Sequence, residues 1–339
     1  MNAPFFSIII PVYNGHDVIG RALDSIYSQG LAHEDFEVIC VDDCSPTMDT
    51  WNVLNSYTYN EVHPENLKLL RHEVNKRQGA ARNTALRHAE GEWILYLDAD
   101  DYFVEKSLLK LQKQLVKYQD VDLAMFDYQE DIATSSNIIN KSVYANQNLT
   151  TGIVLSGGDF IQKYPVPWGP VFYAYKRNFL IEHNIKFVES VRFEDTDYVI
   201  RCTLLANKML FLPIDIYSYV IHKGTTTSIS NDIFKIAEYA ELACRLKSIA
   251  ENFIERDYNA GMAAMNHHIS CYHTLLGIYL WRLPYKDIIE ILDKYPPYAN
   301  SNDKLINFTR KHPRVYAALA QVARPCLLAA VWLKNKLKS

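Results

Sequence analysis

The sequence has no Cys-x-x-Cys pair, no excess of basic residues and no unbroken apolar run of membrane-spanning length; nor does a basic segment precede an apolar one at its amino terminus. Each absence excludes a class. The six cysteines, Cys40, Cys44, Cys202, Cys244, Cys271 and Cys326, show no zinc-ribbon spacing, which argues against a thiolate metal site. Cys40 and Cys202 lie inside apolar runs, where buried thiols are common, so the set reads as reduced structural cysteines of a cytosolic protein. The match of Asn148-Leu149-Thr150 to a glycosylation signal is then a chance occurrence. With 35 Lys and Arg against 39 Asp and Glu, the net charge of −4 leaves no basic footprint for nucleic acid. A membrane-spanning helix needs ~20 consecutive apolar residues. The nearest stretch, 315–333, is broken by Gln321, Arg324 and Pro325. At the amino terminus, Phe5 to Val12 reads as a first strand rather than a leader.

What is present is size, an ordinary globular composition and many rings. A chain of 339 residues suggests two domains at ~150 residues each, or one large domain with an appendage. It is long enough to bury a core without disulfides or a structural metal. The 23 Tyr and 5 Trp direct attention to ring-lined pockets and amphipathic surfaces.

The first 130 residues alternate two patterns. Ser7-Ile8-Ile9-Ile10-Pro11-Val12 is a β-branched run read as a strand buried on both faces. Val18, Ile19, Ala22, Leu23 and Ile26 then recur at helical spacing, and Gly30 supplies a stop. Further strands are read at Phe36 to Val41, Leu67 to Leu70, Trp93 to Leu97 and Val121 to Phe126, with helices from about Asp49, over Ala80 to Ala89 and through Val104, Leu108, Leu111 and Leu115. This alternation means βαβ units and a parallel sheet with helices on both faces, the α/β class. In such sheets, ligands bind outside the carboxyl ends of the strands. Residues 129–152 read as a polar loop or exposed hairpin. Residues 160–230 mix aromatic and proline-containing segments with one helix near Tyr198 to Leu205. After Ser230 only helical periodicities remain, over 233–249, 259–281, 287–292 and 313–333. A boundary is therefore expected near 230, between an α/β domain (1–230) and a helical region (231–339).

The strand ends carry the chemistry. The first ends in Pro11-Val12-Tyr13-Asn14, the second in Asp42-Asp43-Cys44-Ser45-Pro46 and the fourth in Asp98-Ala99-Asp100-Asp101. Alone, Asp42-Asp43 is equally a turn or cap. Three carboxylates within four residues are harder to dismiss, because their mutual repulsion raises pKa values unless a cation neutralises them. Hard oxygen ligands of this kind suit Mg²⁺ or Mn²⁺ completed by substrate phosphates.

Ser-Ile-Ile-Ile-Pro-Val-Tyr-Asn at 7–14, Val-Asp-Asp-x-Ser at 41–45, Gly-Ala-Ala-Arg-Asn at 79–83 and Tyr-Leu-Asp-Ala-Asp-Asp at 96–101 resemble the family 2 glycosyltransferases, in order and spacing, and the likeness continues more weakly to about Ser230. The resemblance implies a GT-A fold, a Rossmann-like nucleotide-diphospho-sugar transferase domain, here with a C-terminal helical extension. It implies an inverting transfer of one sugar from a nucleotide-diphosphate sugar, a UDP-sugar, to a saccharide or lipid-linked acceptor in bacterial surface-polysaccharide synthesis. By the same resemblance Pro11 and Tyr13 border the base, Asp42 hydrogen-bonds it with Asp43 alongside, and Arg82 stands at the nucleotide end of the cleft. Asp98 and Asp100 match the DXD signature, the first toward ribose and the second toward Mn²⁺ or Mg²⁺; Asp101 has no settled role.

Inversion needs a base for the acceptor hydroxyl. Val191 to Tyr198 resembles the family's Glu-Asp motif, which makes Asp195 the general base and Glu194 its neighbour that orients the acceptor; capping of the following helix is the structural alternative. Trp168 is an acceptor platform or a core ring. The segment from Tyr219 to Ser230 resembles the one that closes over the nucleotide. There His222 ligates the metal, touches the diphosphate or serves structure, and Lys223 neutralises the diphosphate. The absence of Gln-x-x-Arg-Trp argues against processive synthesis. The tail 313–339 places Leu319, Val322, Cys326, Ala329 and Leu333 near one helical face and ends in Lys334, Lys336 and Lys338. It reads either as peripheral membrane contact, on the inner face of the plasma membrane, or as packing on the body or a partner. Two other functions compete for parts of this pattern. A non-catalytic nucleotide- or sugar-binding module would have no use for a base at Asp195. A haloacid-dehalogenase-like phosphohydrolase shares the Asp98-x-Asp100 pattern but wants Thr or Val where Tyr102 stands.

Overall fold

The computed structural model describes residues 3–58, 66–132, 137–141, 152–164, 166–221, 232–297 and 303–336, with backbone alone at 132, 137–141 and 325–336. The chain divides into two compact units, Met1–Thr225 and Thr226–Ser339.

The first unit is built on the apolar runs. Strand β1 (Phe6–Val12) and strand β2 (Phe36–Asp42) are buried at every residue, as expected of parallel strands covered on both faces. Between them, helix α1 (Ile19–Tyr27) turns Ile19, Ala22, Leu23 and Ile26 inward, one face of a 3.6-residue period. Helix α2 (Asp49–Thr58), strand β3 (Leu67–Arg71), helix α3 (Arg77–His88) and strand β4 (Trp93–Tyr96) follow. β1 pairs in parallel with β2 and β4, and β2 with β3. Register aligns Val12 with Asp42 and Asp42 with Arg71, so three strand tips end level. At the opposite edge, Gly91 must lack a side chain: a Cβ there would sit 2.5 Å from the Ser7 nitrogen.

The sheet is mixed, not wholly parallel. After the short strand β5 (Tyr102–Phe103), helix α4 (Ser107–Lys117) and strand β6 (Leu123–Ile132) come β7 (Asn137–Lys141), β8 (Ile153–Leu155), helix α5 (Gly157–Lys163) and strand β9 (Tyr173–Lys176). β9 lies between β4 and β6, antiparallel to both. Helices α6 (Arg177–Glu182) and α7 (Glu194–Leu205) precede strand β10 (Met209–Ile221), which runs parallel to β6. The strand order is β3-β2-β1-β4-β9-β6-β10-β5, with β7 and β8 added on β6 and β10. β10 was not expected, and Pro213 explains why. A proline argues against an interior strand unless a bulge receives it; here it is exposed between Leu212 and Asp215, where the register shifts.

The tyrosine surplus finds much of its place under the sheet's carboxyl edge. Tyr96, Tyr173, Tyr175, Tyr198 and Tyr217 are fully buried. The Tyr96 and Tyr198 hydroxyls bond at 2.9 Å, and Tyr198 stacks on Phe187 at 3.8 Å. Each hydroxyl thus gains a partner that offsets its burial.

The second unit is helical: α8 (Ile233–Ile254), α9 (Tyr258–Thr274), α10 (Tyr285–Lys294), α11 (Lys304–Lys311) and α12 (Pro313–Lys336). α11 was not expected as a separate helix. Asp232, Asp257 and Asp303 cap α8, α9 and α11 by accepting backbone N–H bonds. The core between them gathers Ala240, Tyr272, Leu280, Ile288, Ile306 and Tyr316, among others.

Candidate active site

Non-glycine residues in the left-handed region concentrate at the carboxyl edge of the sheet. Asn14 (φ 51°) follows β1, Cys44 (φ 62°) follows β2, Arg77 (φ 70°) opens α3 and Phe193 (φ 59°) immediately precedes α7. Such conformations cost about 1–3 kcal/mol each and persist only where surroundings fix them. The fixing contacts are present. Asn14 N–H donates to Ser45 Oγ at 2.8 Å, Asp43 N–H to the Val12 carbonyl at 2.8 Å, and Lys76 N–H to Asp43 Oδ1 at 2.9 Å.

At the β2 tip Asp42 is wholly buried. Its Oδ1 accepts from the Ser45 N–H at 2.9 Å and the Ser45 hydroxyl at 2.5 Å, and Oδ2 lies 3.1 Å from Arg71 Nε. Arg71 also donates to the Ser45 carbonyl and stands 5.8 Å from the Trp51 ring. Asp43 is buried as well, 2.6 Å from His72 Nδ1, while His72 Nε2 meets Thr84 Oγ1 at 2.9 Å. Tyr13 is 54% exposed, whereas Pro11 is buried in β1. Arg71 and His72 were missed in the sequence, although the strand-end rule applied to β3 would have flagged both.

The acidic tip after β4 separates into three roles. Asp98 accepts from Arg82 at 2.8 Å and from Gln78 at 2.9 Å. Asp100 is half-buried, and its backbone carbonyl accepts from Arg21 at 2.5 Å. Asp101 is buried and fastened to β10, accepting from the Tyr217 hydroxyl at 2.5 Å and from Val220 N–H at 2.7 Å. Burial, then the charge of Asp98, pushes the Asp101 carboxyl up to about 8. The tip therefore supplies only oxygen donors. Among the described residues no trio of His, Cys, Asp or Glu is grouped to hold a metal ion. An ion here would fit the hard-cation pattern of one or two carboxylates plus substrate phosphates. His222 and Lys223 lie outside the described residues.

Arg82 joins this tip to α7. Its buried guanidinium is 2.8 Å from Asp98 and 3.3 Å from Glu194, and it lies 5.2 Å from the Phe187 ring. Burial pushes Glu194 up to about 7, against the pull of Arg82. Asp195 is half-buried, and its carboxyl is raised by burial and opposed by Arg82. Its Oδ1 accepts from the Thr196 N–H at 3.0 Å, but the N-cap of α7 is Phe193 and no side chain caps the helix, so Asp195 lies in the first turn and does not cap it. Asp197 occupies the same first helical turn and pairs with Arg201.

The 79–83 motif locks this junction. Asn83 Nδ2 donates to the Phe187 carbonyl and to Glu189, and Asn83 Oδ1 accepts from Phe187 N–H, each at 2.9 Å. A Cβ on Gly79 would stand 3.0 Å from both Glu194 Cγ and the Val188 carbonyl, so glycine permits the close approach. Trp168 is half-buried ahead of β9. Arg82, Asp98, Glu194 and Asp195 are thus brought together.

The model of the family described as Glycosyl transferase family 2 matches residues 7–182. A poly(ribitol-phosphate) beta-glucosyltransferase of Bacillus spizizenii is 44% identical over 105 residues, 31% of this chain and 16% of that protein. The chain thus matches about one sixth of that relative's length. A UDP-Glc:alpha-D-GlcNAc-diphosphoundecaprenol beta-1,3-glucosyltransferase of Escherichia coli is 31% identical over 144 residues, 42% of this chain and 52% of the relative. The crystal structure of Staphylococcus aureus TarS 1-349 in complex with UDP-GlcNAc shares the fold, with a TM-score of 0.62 at 21% identity over 94% of this chain and 90% of that one.

Proposed function

The chain belongs to glycosyl transferase family 2, and from that premise we propose that it transfers one sugar, with inversion, from a UDP-sugar to a saccharide or lipid-linked acceptor in surface-polysaccharide synthesis. The observation that carries this reading is the Arg82 junction. One buried guanidinium ties Asp98, at the donor end, to Glu194, beside the base at the acceptor end. The UDP-GlcNAc complex of the S. aureus structure and the diphosphoundecaprenol acceptor in the E. coli relative's name support the substrate classes.

In the proposed reaction, Asp195 takes the proton of the acceptor hydroxyl as its oxygen bonds to the anomeric carbon. The bond from that carbon to the diphosphate oxygen breaks on the opposite face, and its electron pair leaves with UDP. Burial makes the Asp195 carboxylate more basic, while the neighbouring Arg82 charge favours its ionised form. Glu194, held by Arg82, orients the acceptor. Pro11 and Tyr13 border the base, Asp42 acts through Ser45 and Arg71, Asp43 acts through His72, and Asp98 reaches ribose. Asp100, with His222 as a second donor, would hold Mn²⁺ or Mg²⁺, which when bound neutralises the departing diphosphate. Trp168 offers its ring to the acceptor sugar. Residues 1–230 form the catalytic domain and 231–339 a helical extension, and the protein works in the cytoplasm.

The test is UDP release with Mn²⁺ across a panel of UDP-sugars and acceptors. Acceptor-dependent release from one donor is expected. UDP binding by calorimetry without turnover on any acceptor would make the chain a binding module and overturn the reading.

A further inference from the structure

The helical unit leaves an apolar face of α12 uncovered. Tyr316, Ala317 and Ala320 of this helix join the unit's core. Val315, Leu319 and Val322 are instead 49%, 55% and 78% exposed, and Ala318 is exposed between them. Positions 315, 318, 319 and 322 follow the i, i+3, i+4, i+7 period, so they form one stripe along the helix. On the preceding helix α11, Leu305 and Phe308 are exposed as well. A surface helix normally turns polar residues to water along such a stripe.

The charge around this stripe is one-sided. Residues 303–339 hold eight Lys and Arg against the single acid Asp303, a net +7, which leaves −11 for the rest of a chain whose total is −4. Arg310, Lys311 and Arg314 are exposed at the junction of α11 and α12, next to the first residue of the stripe. An apolar stripe flanked by cations is the chemistry of a helix lying in the headgroup layer of an anionic bilayer. A second copy of the chain is a poorer occupant, because a two-fold contact would set one cationic segment against another. No described helix is long and apolar enough to cross a membrane, so the contact is along the surface.

We propose that α11 and the exposed face of α12 dock the protein on the surface of an anionic phospholipid bilayer. The proposal stands apart from the nucleotide site, and its test reads binding rather than turnover. The full chain is sedimented with phosphatidylcholine vesicles, with and without phosphatidylglycerol, at low and high salt. Binding is expected only with phosphatidylglycerol and weakens with salt. The triple variant Val315→Ser, Leu319→Ser, Val322→Ser loses at least ~tenfold in affinity. Arg310→Glu with Lys311→Glu loses at least ~fivefold per residue. Both variants keep the wild-type melting temperature and UDP affinity. Equal binding to neutral vesicles, no binding to either, or a triple variant that binds like wild type overturns the proposal. So does a triple variant with a lowered melting temperature or a smaller oligomer, because the stripe would then be covered by the chain itself or by a second copy.

Discussion

Asn83→Ala probes whether the Gly-Ala-Ala-Arg-Asn motif acts by holding the segment that leads into α7. The wild-type amide mimics a strand partner, exchanging two hydrogen bonds with the backbone of Phe187 and giving a third to Glu189. Phe187 is 3% exposed, so truncation strands its N–H and carbonyl away from water. A buried backbone group left unpaired costs about 1–3 kcal/mol. With partial rehydration of the pair, a loss of about 3 kcal/mol is expected, which shifts the melting point by roughly 6–12 °C for a unit of this size. The same segment delivers Glu194 and Asp195, and a displacement of ~1 Å at a reacting group can lower turnover ~100-fold. Thermal unfolding and UDP release measure the two effects. Asn83→Asp serves as the near-isosteric control: it keeps an acceptor for the Phe187 N–H but sets a carboxylate against Glu189 and the Phe187 carbonyl, and it should rescue neither property. A melting point within ~2 °C of wild type, less than ~1 kcal/mol for a unit of this size, together with unchanged turnover would refute the argument.

Glu194→Gln should flatten the pH dependence of stability. Burial holds the folded carboxyl at about 7, above the ~4.3 of an unfolded chain. Its favourable contribution is therefore complete below the unfolded pKa and is lost as pH rises through 7. Urea midpoints should show wild type losing up to about 3 kcal/mol relative to the variant between roughly pH 4 and pH 8. Gly157→Ala places a Cβ 1.6 Å from the Thr203 carbonyl of α7, an overlap expected to cost about 3 kcal/mol or more. Gly277→Ala, with nothing within 4 Å, should be neutral or stabilise by up to about 1 kcal/mol; the two melting points, compared directly, check the packing.

The parts of the fold that were legible are those whose local pattern and final environment agree. β1 and β2 are continuous apolar runs and are buried throughout. β9 is four residues, Tyr-Ala-Tyr-Lys, too short for a period to register, yet it reverses the sheet's direction between β4 and β6. β10 was hidden by Pro213, whose tolerance depends on a bulge that no local pattern announces. At the site, residue types were readable and partnerships were not. Asp42 reads as a strand-tip carboxylate, but its burial follows from Ser45 and from Arg71 on another strand. Arg82 finds Asp98 and Glu194 across separations of 16 and 112 residues. Only the folded sheet brings those three together.

In the proposed mechanism Asp195 removes the acceptor's proton at a site assembled by Arg82. Acceptor-dependent UDP release by Asp195→Asn, measured beside UDP affinity by calorimetry, tests it most directly. Turnover is expected to fall at least ~100-fold, within the range for loss of a general base, at unchanged UDP affinity and melting temperature. A variant that releases UDP at the wild-type rate would contradict it.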